Sequence, residues 1–182
     1  MMELADDLEA GRHIEPALYK PRTLKNELER FGQRVRIPVD RCIDIAITLA
    51  HGLHILHQAG FTHRDLRPSN IIFVRGLPKL ADIDLLANDD ARLASYIPRE
   101  YAAPEGNHSS RADIFSFGKT VYEMSTGLPV KSFPSLPSDI RHWEDHKHFL
   151  ALNRIIGKAT AYNLRNRYQS VEQMLRDLET IR

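Results

Sequence analysis

The sequence predicts a mainly α-helical protein with one or two short β-hairpins, folded as a single domain. Five segments place apolar residues at helical spacing, and two short apolar runs flank an Arg-Gly pair, a pattern typical of a β-hairpin. A length of 182 residues with 42% hydrophobic content is enough to bury one ordinary core.

Two helices are expected before the hairpin. Apolar residues recur at helical spacing from Thr23 to Phe31, and Gly32 stands where a left-handed C-terminal cap would lie. A longer helix is predicted to begin near Pro38, a favourable first-turn residue, and to stop at Gly60. Its apolar stripe consists of Cys42, Ala46, Leu49, Leu53 and Leu56, which makes it a core element.

The hairpin and a long loop follow this helix. The runs Ile71 to Val74 and Leu77 to Ala81 predict two short strands joined at Arg75 and Gly76. The stretch from Asn88 to Glu105 shows no sustained periodicity and contains two prolines, so it is predicted to be a loop of functional length.

Three helices are expected in the second half of the chain. Ser109 or Ser110 can cap the first, whose broad apolar surface indicates heavy burial and which Gly127 ends. Proline-rich residues 128–148 predict an irregular surface connection, in which the histidines beside Asp145 are interpreted as solvated rather than as metal ligands. A helix over 149–159 and a final helix, with Ser170 and Gln173 as a capping box, complete the domain.

Charge and cysteine content restrict the classes of partner and compartment. With 25 basic and 24 acidic residues, the formal net charge of +1 does not indicate a nucleic-acid partner. The single Cys42 excludes an intramolecular disulfide and is interpreted as a small buried hydrophobic residue. No apolar run approaches the roughly 20 residues that cross a bilayer. We therefore expect a cytoplasmic chain without a membrane segment.

The segment from His63 to Asn70 concentrates chemically useful side chains. It combines the carboxylate of Asp65, the fixed positive charge of Arg67 and the amide of Asn70 in one turn-rich loop. Phosphoryl transfer needs a proton acceptor, positive charge on the transferred phosphate and oxygen ligands for metal ions. Asp82 ends the second strand of the predicted hairpin, so a tight hairpin would bring a second oxygen ligand beside Asn70.

These residues resemble the motifs of the protein kinase family. The loop is similar to the catalytic loop H-R-D-x-x-x-x-N, and the segment from Lys79 to Asp84 is similar to the strand that ends in D-F-G. Two further landmarks follow in the family's order, namely Ala103-Pro104-Glu105 for A-P-E and Asp113 to Gly118 for the start of the buried F helix. The chain most resembles bacterial serine/threonine kinases.

The resemblance implies roles for individual residues. Asp65 and Arg67 would be catalytic, the first on the acceptor hydroxyl and the second on the transferred phosphate. Asn70 and Asp82 would bind Mg²⁺. His63, Arg64 and Asp113 would be structural, and Glu105 would pair with Arg167. ATP and Mg²⁺ would be the cofactors and an unidentified protein the substrate.

The resemblance also implies a domain organisation. Residues 1–182 would form a kinase C-lobe, with a hinge at 1–7, a catalytic loop at 63–70, an activation segment at 82–105 and an F-type helix at 110–126. Main-chain groups of Glu3 and Ala5 would meet adenine above Ile72. The glycine-rich loop, strand lysine and C-helix glutamate of the N-lobe are not found in the sequence, so the N-lobe is expected to be absent, and a partner could be that lobe or another protein.

Three departures from the motifs keep a second function open. Arg67 replaces the usual lysine, Asp84 replaces the glycine of D-F-G, and Pro98 stands where a hydroxyl residue often precedes A-P-E. The first hypothesis is a protein kinase that phosphorylates serine or threonine. The alternative is a pseudokinase-like binding scaffold or an inactive fragment of a truncated gene. Ser95 and Tyr96 are candidate modification sites in the activation segment, although ordinary surface residues are the simpler interpretation.

Overall fold

The computed structural model describes residues 4–30, 35–82, 98–106 and 108–182, and in these ranges helices dominate. The helices are α1 (Leu24–Leu28), α2 (Val39–Gln58), α3 (Ser110–Thr126), α4 (His146–Ala159) and α5 (Val171–Thr180), and the strands are β1 (Ile71–Val74) and β2 (Leu77–Leu80). Short 3-10 turns cover Pro68–Asn70, Val130–Ser132 and Ile140–His142. The predicted fold class, mainly α with a short hairpin, is thus confirmed for the described part of the chain.

Helix α2 lies at the centre of the core, where it packs against α3, α4, α5 and β2. Its predicted apolar stripe, including Cys42, is buried. Burial also raises the pKa of the Cys42 thiol, which agrees with its interpretation as an inert core residue. Because Pro38 offers no capping side chain, the Asp145 carboxylate accepts a hydrogen bond from the Val39 N–H at 3.1 Å and caps α2 from a distant part of the chain.

Helix α3 is buried on almost every side, as its broad apolar surface predicts. The Ser109 hydroxyl accepts a hydrogen bond from Ala112 N–H, and Gly127, at φ +68°, ends the helix in the left-handed conformation. Helix α4 approaches α3 closely at Gly118, where an added Cβ would lie 2.8 Å from Thr160 Cγ2. This glycine sets the distance between the two helices.

The hairpin forms where it was predicted, and its register places Ile71 opposite Leu80 and Val74 opposite Leu77. Its turn is held by Asp6, whose two carboxylate oxygens accept hydrogen bonds from the N–H groups of Arg75 and Gly76 at 2.8 and 2.7 Å. The residues at the start of the described chain therefore lie against the hairpin.

Several predicted boundaries are wrong by up to one turn. Helix α1 ends at Leu28 rather than Phe31, and Gly32 lies outside the described residues. Helix α4 begins at His146 instead of Phe149. The capping box of α5 is modified, because Gln173 accepts a hydrogen bond from the N–H of Gln169 at 3.0 Å while Ser170 caps the N–H of Gln173.

Helix ends depend on single hydrogen bonds, which explains why the pattern locates them less well than the helix centres. None of the helices in the described ranges is both long and apolar enough to span a bilayer.

Candidate active site

The loop from 63 to 70 connects α2 to β1 and is held by hydrogen bonds to Asp113, which lies on α3. The two Asp113 carboxylate oxygens accept hydrogen bonds from the N–H groups of His63 and Arg64, each at 2.8 Å, and His57 Nε2 lies 2.8 Å from the same carboxylate. Arg64 adopts φ +66°, a strained conformation for a residue with a side chain. Asp113 is buried and stabilises this strained turn, which agrees with the structural role expected of it.

His63, the first residue of the loop, is fully buried. Burial lowers the pKa of His63 from its ordinary value, although the neighbouring Asp113 and Asp65 carboxylates act in the opposite direction. The imidazole is therefore neutral at physiological pH, and it contributes to the loop as a buried, uncharged side chain.

The carboxylate of Asp65 is held from two sides. Asn70 Nδ2 donates a hydrogen bond to Asp65 Oδ2 at 2.8 Å and a second to the Asp65 main-chain carbonyl at 2.8 Å. Arg67 Nε donates to Oδ2 at 3.2 Å and lies 3.0 Å from Oδ1. Oδ1 is buried and, apart from this ion pair with Arg67, has no hydrogen-bond partner in the described part of the chain.

The hairpin brings Asp82 to the same place. The N–H of Ala81 donates a hydrogen bond to the main-chain carbonyl of Asn70 at 2.9 Å, and Asp82 is the next residue. Asp82 is exposed and has φ +53°, a turn that takes the chain out of the direction of β2. The sequence-based expectation that the hairpin brings Asp82 beside Asn70 is confirmed for the backbone.

Two of the three residues assigned to adenine binding, Ala5 and Ile72, belong to the described part of the chain. The N–H of Asp6, the residue after Ala5, donates to the carbonyl of Phe73, the residue after Ile72, at 2.7 Å, so the chain next to Ala5 contacts β1. Ala5 is buried, and its carbonyl accepts a hydrogen bond from the Tyr19 hydroxyl at 3.1 Å. Glu3, the third residue assigned to adenine binding, lies outside the described residues.

The end of the predicted activation segment is attached to the helices by two carboxylates. Arg167 pairs with Glu105 through two bonds, Nη1 to Oε1 at 2.5 Å and Nη2 to Oε2 at 3.2 Å. This confirms the expected pair. The hydroxyl of Tyr101 donates a hydrogen bond to Glu123 on α3. Residues 83–97 lie outside the described ranges, and the interpretations of Asp84, Ser95 and Tyr96 fall among them.

Sequence reasoning missed two anchoring carboxylates, Glu123 and Asp6. Both are buried, and Glu123 also accepts a hydrogen bond from the N–H of Val130 at 3.0 Å. The signal that could have found Glu123 is a carboxylate on the otherwise apolar surface of α3, where an unpaired charge would be costly.

The histidines near Asp145 are exposed or partly exposed, as predicted, but His146 and His148 lie in a helix rather than in a loop. His146 and His148 belong to the first turn of α4, and His148 Nδ1 lies 3.1 Å from Asp40 Oδ1. The Asp145 carboxylate accepts hydrogen bonds from Arg36 and from the Val39 N–H at the N-terminus of α2. Within the described residues, no cluster of three or more His, Cys, Asp or Glu side chains could bind a metal ion.

A cleft of about 340 Å³ opens beside the loop, between α1 and α3. Its lining includes Arg67 and Ser69 of the loop, Tyr101 of the segment that follows, and Lys25 of α1. The cleft therefore gives access to Arg67 and Ser69 of the loop, whereas Asp65 is not among its lining residues.

Comparison with known proteins gives the family. Residues 17–180 match the protein kinase domain. The chain belongs to this family. A protein of Clostridium perfringens named "Probable serine/threonine-protein kinase" is 28% identical over 181 residues, which cover 88% of this chain and 26% of that protein. A Lactococcus lactis protein with the same description is 24% identical over 197 residues, or 96% of this chain and 30% of that protein.

A eukaryotic relative is similar over a shorter region. The Wee1-like protein kinase of Arabidopsis thaliana is 36% identical over 88 residues, or 45% of this chain and 18% of that protein. The chain thus spans less than a third of the length of these kinases.

Proposed function

We propose that this chain carries the phosphate-transfer residues of an ATP-dependent protein kinase that acts on serine or threonine. The observation that carries the proposal is the arrangement of Asp65, whose carboxylate is held within one loop by a hydrogen bond from Asn70 and an ion pair with Arg67. The preference for serine and threonine is supported by the names of the bacterial relatives.

In this proposal Asp65 orients and deprotonates the acceptor hydroxyl. The hydroxyl oxygen forms a bond to the γ-phosphorus of ATP, the bond from that phosphorus to the bridging oxygen breaks, and the hydroxyl proton goes to Asp65. ADP leaves with the electron pair of the broken bond. Asn70 supports the reaction because its Nδ2 fixes the Asp65 carboxylate in position.

Arg67 has two tasks in the proposed mechanism. Its Nε lies against Asp65, and the two terminal nitrogens of its guanidinium extend beyond that contact. A planar guanidinium can bind a carboxylate along one edge and a phosphate oxygen along another, which an ammonium group cannot do with the same geometry. The replacement of the family's lysine is therefore compatible with contact to the transferred phosphate.

Two oxygen ligands fit a magnesium ion at this site. Asn70 directs its Nδ2 towards Asp65, and among the described residues only the Ser69 hydroxyl donates a hydrogen bond to its Oδ1, at 3.2 Å. The exposed Asp82 carboxylate forms no ion pair with another described residue. Mg²⁺ prefers a few protein oxygens together with phosphate oxygens and water, and bound Mg²⁺ would neutralise the developing charge on the phosphates.

The proposal is tested by measuring Mg²⁺-dependent ATP binding and then transfer of labelled phosphate to a mixture of serine and threonine peptides. Asp65→Asn should lower transfer about 100-fold or more while ATP binding remains, since general-base catalysis contributes about 10²–10⁴-fold. Asp82→Ala should weaken the Mg²⁺-dependent part of ATP binding. Asp139→Asn, at an exposed carboxylate in the turn before α4, serves as the matched control.

Two outcomes would overturn the proposal. If the chain neither binds ATP with Mg²⁺ nor transfers phosphate, the scaffold hypothesis replaces it. If Asp65→Asn transfers phosphate as fast as Asp139→Asn does, Asp65 is not the proton acceptor.

A further inference from the structure

A second cleft, of about 260 Å³, lies between α1, the start of α2 and β1. We call it the α1–α2 cleft. Its walls are mainly apolar, with Phe73, Ile37 and Ile45 inside and Val35 at the edge with 47% of its surface exposed. None of the residues assigned to phosphate transfer lines it.

Three arginines surround this apolar surface, namely Arg30, Arg36 and Arg41. Arg30 donates a hydrogen bond to the carbonyl of Leu8 at 2.8 Å. Arg36 pairs with Asp145 at 2.8 Å and stacks on Trp143 with its guanidinium carbon 4.0 Å from the ring centre. These contacts fix the two guanidinium groups at the cleft.

Arg41 differs from the other two arginines. It is exposed on the first turn of α2 and has no ion pair or hydrogen bond from its side chain within the described ranges. An arginine without a partner can pair with a carboxylate from another molecule and loses little solvation by doing so.

The carboxylates close to the cleft are already paired. Glu27 is the acidic residue of the lining and lies 2.5 Å from Arg22 and 3.9 Å from Arg30. On α2, Asp40 lies 3.1 Å from His148, and Asp44 lies 3.0 Å from Arg182. Among the residues that line the cleft, three are arginines and one is a glutamate that pairs with Arg22, so the net charge of the lining is positive.

We propose that the α1–α2 cleft docks an acidic peptide segment of a partner protein, with one apolar side chain against Phe73 and Ile45 and carboxylates facing Arg41 and Arg30. Two features support this occupant. Burial of a hydrophobic side chain against the apolar walls is favourable, and the three arginines around them complement acidic residues next to that side chain. The volume is below the about 300–1,000 Å³ of typical small-molecule pockets, which favours one inserted side chain over a cofactor.

The test uses the whole chain as bait for a displayed library of random peptides of about 12 residues. Recovered peptides should carry two or more acidic residues beside a leucine, isoleucine or phenylalanine. The affinity of a synthetic copy, measured by fluorescence anisotropy, should fall as salt rises, because exposed charge pairs are screened.

Arg41→Glu should weaken the binding of that synthetic peptide about tenfold or more, a loss that corresponds to about 1.4 kcal/mol. Arg154→Glu is the matched control, because Arg154 is also an exposed helical arginine without a described ion pair but lies on α4 outside the cleft lining. Val35→Asp, at an exposed position, should weaken binding without disturbing the core.

Three results would overturn the proposal: recovery of neutral or basic peptides, recovery of no binding peptide, or equal weakening by Arg41→Glu and Arg154→Glu. Circular dichroism spectra of the three variants should match that of the unmodified chain. If Arg41→Glu alters the fold, Val35→Asp decides the question.

Discussion

Breaking the pair between Arg167 and Glu105 should be among the most destabilising single changes in this chain. The Arg167 side chain is fully buried, whereas 27% of the Glu105 side chain is exposed. Besides its two bonds to Glu105, Arg167 donates to the carbonyls of Arg111 and Ala161, both at 2.9 Å, and its guanidinium carbon lies 4.9 Å from the centre of the Phe115 ring. One side chain thus joins the segment around Glu105, the start of α3 and the residues before α5.

The expected magnitude follows from what each substitution leaves behind. Arg167→Met removes all these bonds, leaves two carbonyls without their donor and leaves Glu105 only partly hydrated, so it should lower the free energy of unfolding by about 3–5 kcal/mol. Glu105→Gln keeps one hydrogen-bond acceptor for Arg167 but leaves the buried guanidinium without a negative partner, so it should lower the free energy of unfolding by about 2–3 kcal/mol. For a chain of this length, Arg167→Met should lower Tm by about 10 °C.

The assay is urea unfolding followed by circular dichroism for both single variants and the double variant. Because the two side chains contact each other, the double variant should be more stable than additivity predicts by at least about 1 kcal/mol. Arg176→Met is the control, since Arg176 pairs with Glu172 at 2.9 Å on the exposed surface of α5 and should cost no more than about 0.5 kcal/mol. Additive effects within about 0.5 kcal/mol, or equal costs for Arg167→Met and Arg176→Met, would refute the reasoning.

Three further predictions concern packing, the hairpin turn and pH. Gly118→Ala should destabilise the fold by about 1–2 kcal/mol, because the new Cβ would lie within 2.9 Å of the side chains of Ala159 and Thr160. Gly157→Ala should instead stabilise the fold by up to about 1 kcal/mol, because nothing lies within 4 Å of the new Cβ there. Calorimetry of the two variants compares these effects. Asp6→Ala should cost about 2 kcal/mol and speed amide exchange at Arg75 and Gly76, and unchanged exchange would contradict its role. Burial lowers the pKa of His63 in the folded chain, whereas in the unfolded chain His63 binds a proton below its ordinary pKa of about 6.5. The free energy of unfolding should therefore be unaffected by His63 above that pH and should fall below it, by at most about 1.4 kcal/mol per pH unit. In urea titrations at several pH values His63→Phe should flatten this slope, and an unchanged slope would contradict the assignment.

The sequence predicted the helices well where apolar spacing was strong. Helix α3 was found with its expected serine cap and glycine stop, because both residues act locally on the backbone. The start of α4 was placed one turn late, since its first turn consists of polar residues that carry no apolar pattern. The cap of α2 could not be predicted, because it comes from Asp145, far along the chain.

The candidate site divides in the same way. The identities of Asp65, Arg67 and Asn70 and their order along one loop were recognisable from sequence, because motif spacing is a local property. That Arg67 lies against Asp65 was not predictable, since it depends on side-chain rotamers within the loop. The roles of Glu123 and Asp6 as anchors also depended on residues distant in the chain.

By itself, the sequence determined which elements form and which residues can take part in phosphate chemistry. Both follow from periodicity, capping and motif spacing over a few residues. The tertiary structure alone decided that Asp113 holds the loop from 63 to 70 in place, that the hairpin brings the backbone of Asp82 beside Asn70, and that arginines surround an apolar surface at the α1–α2 cleft. Those arrangements arise from packing between segments far apart in the chain, where burial makes each polar contact obligatory.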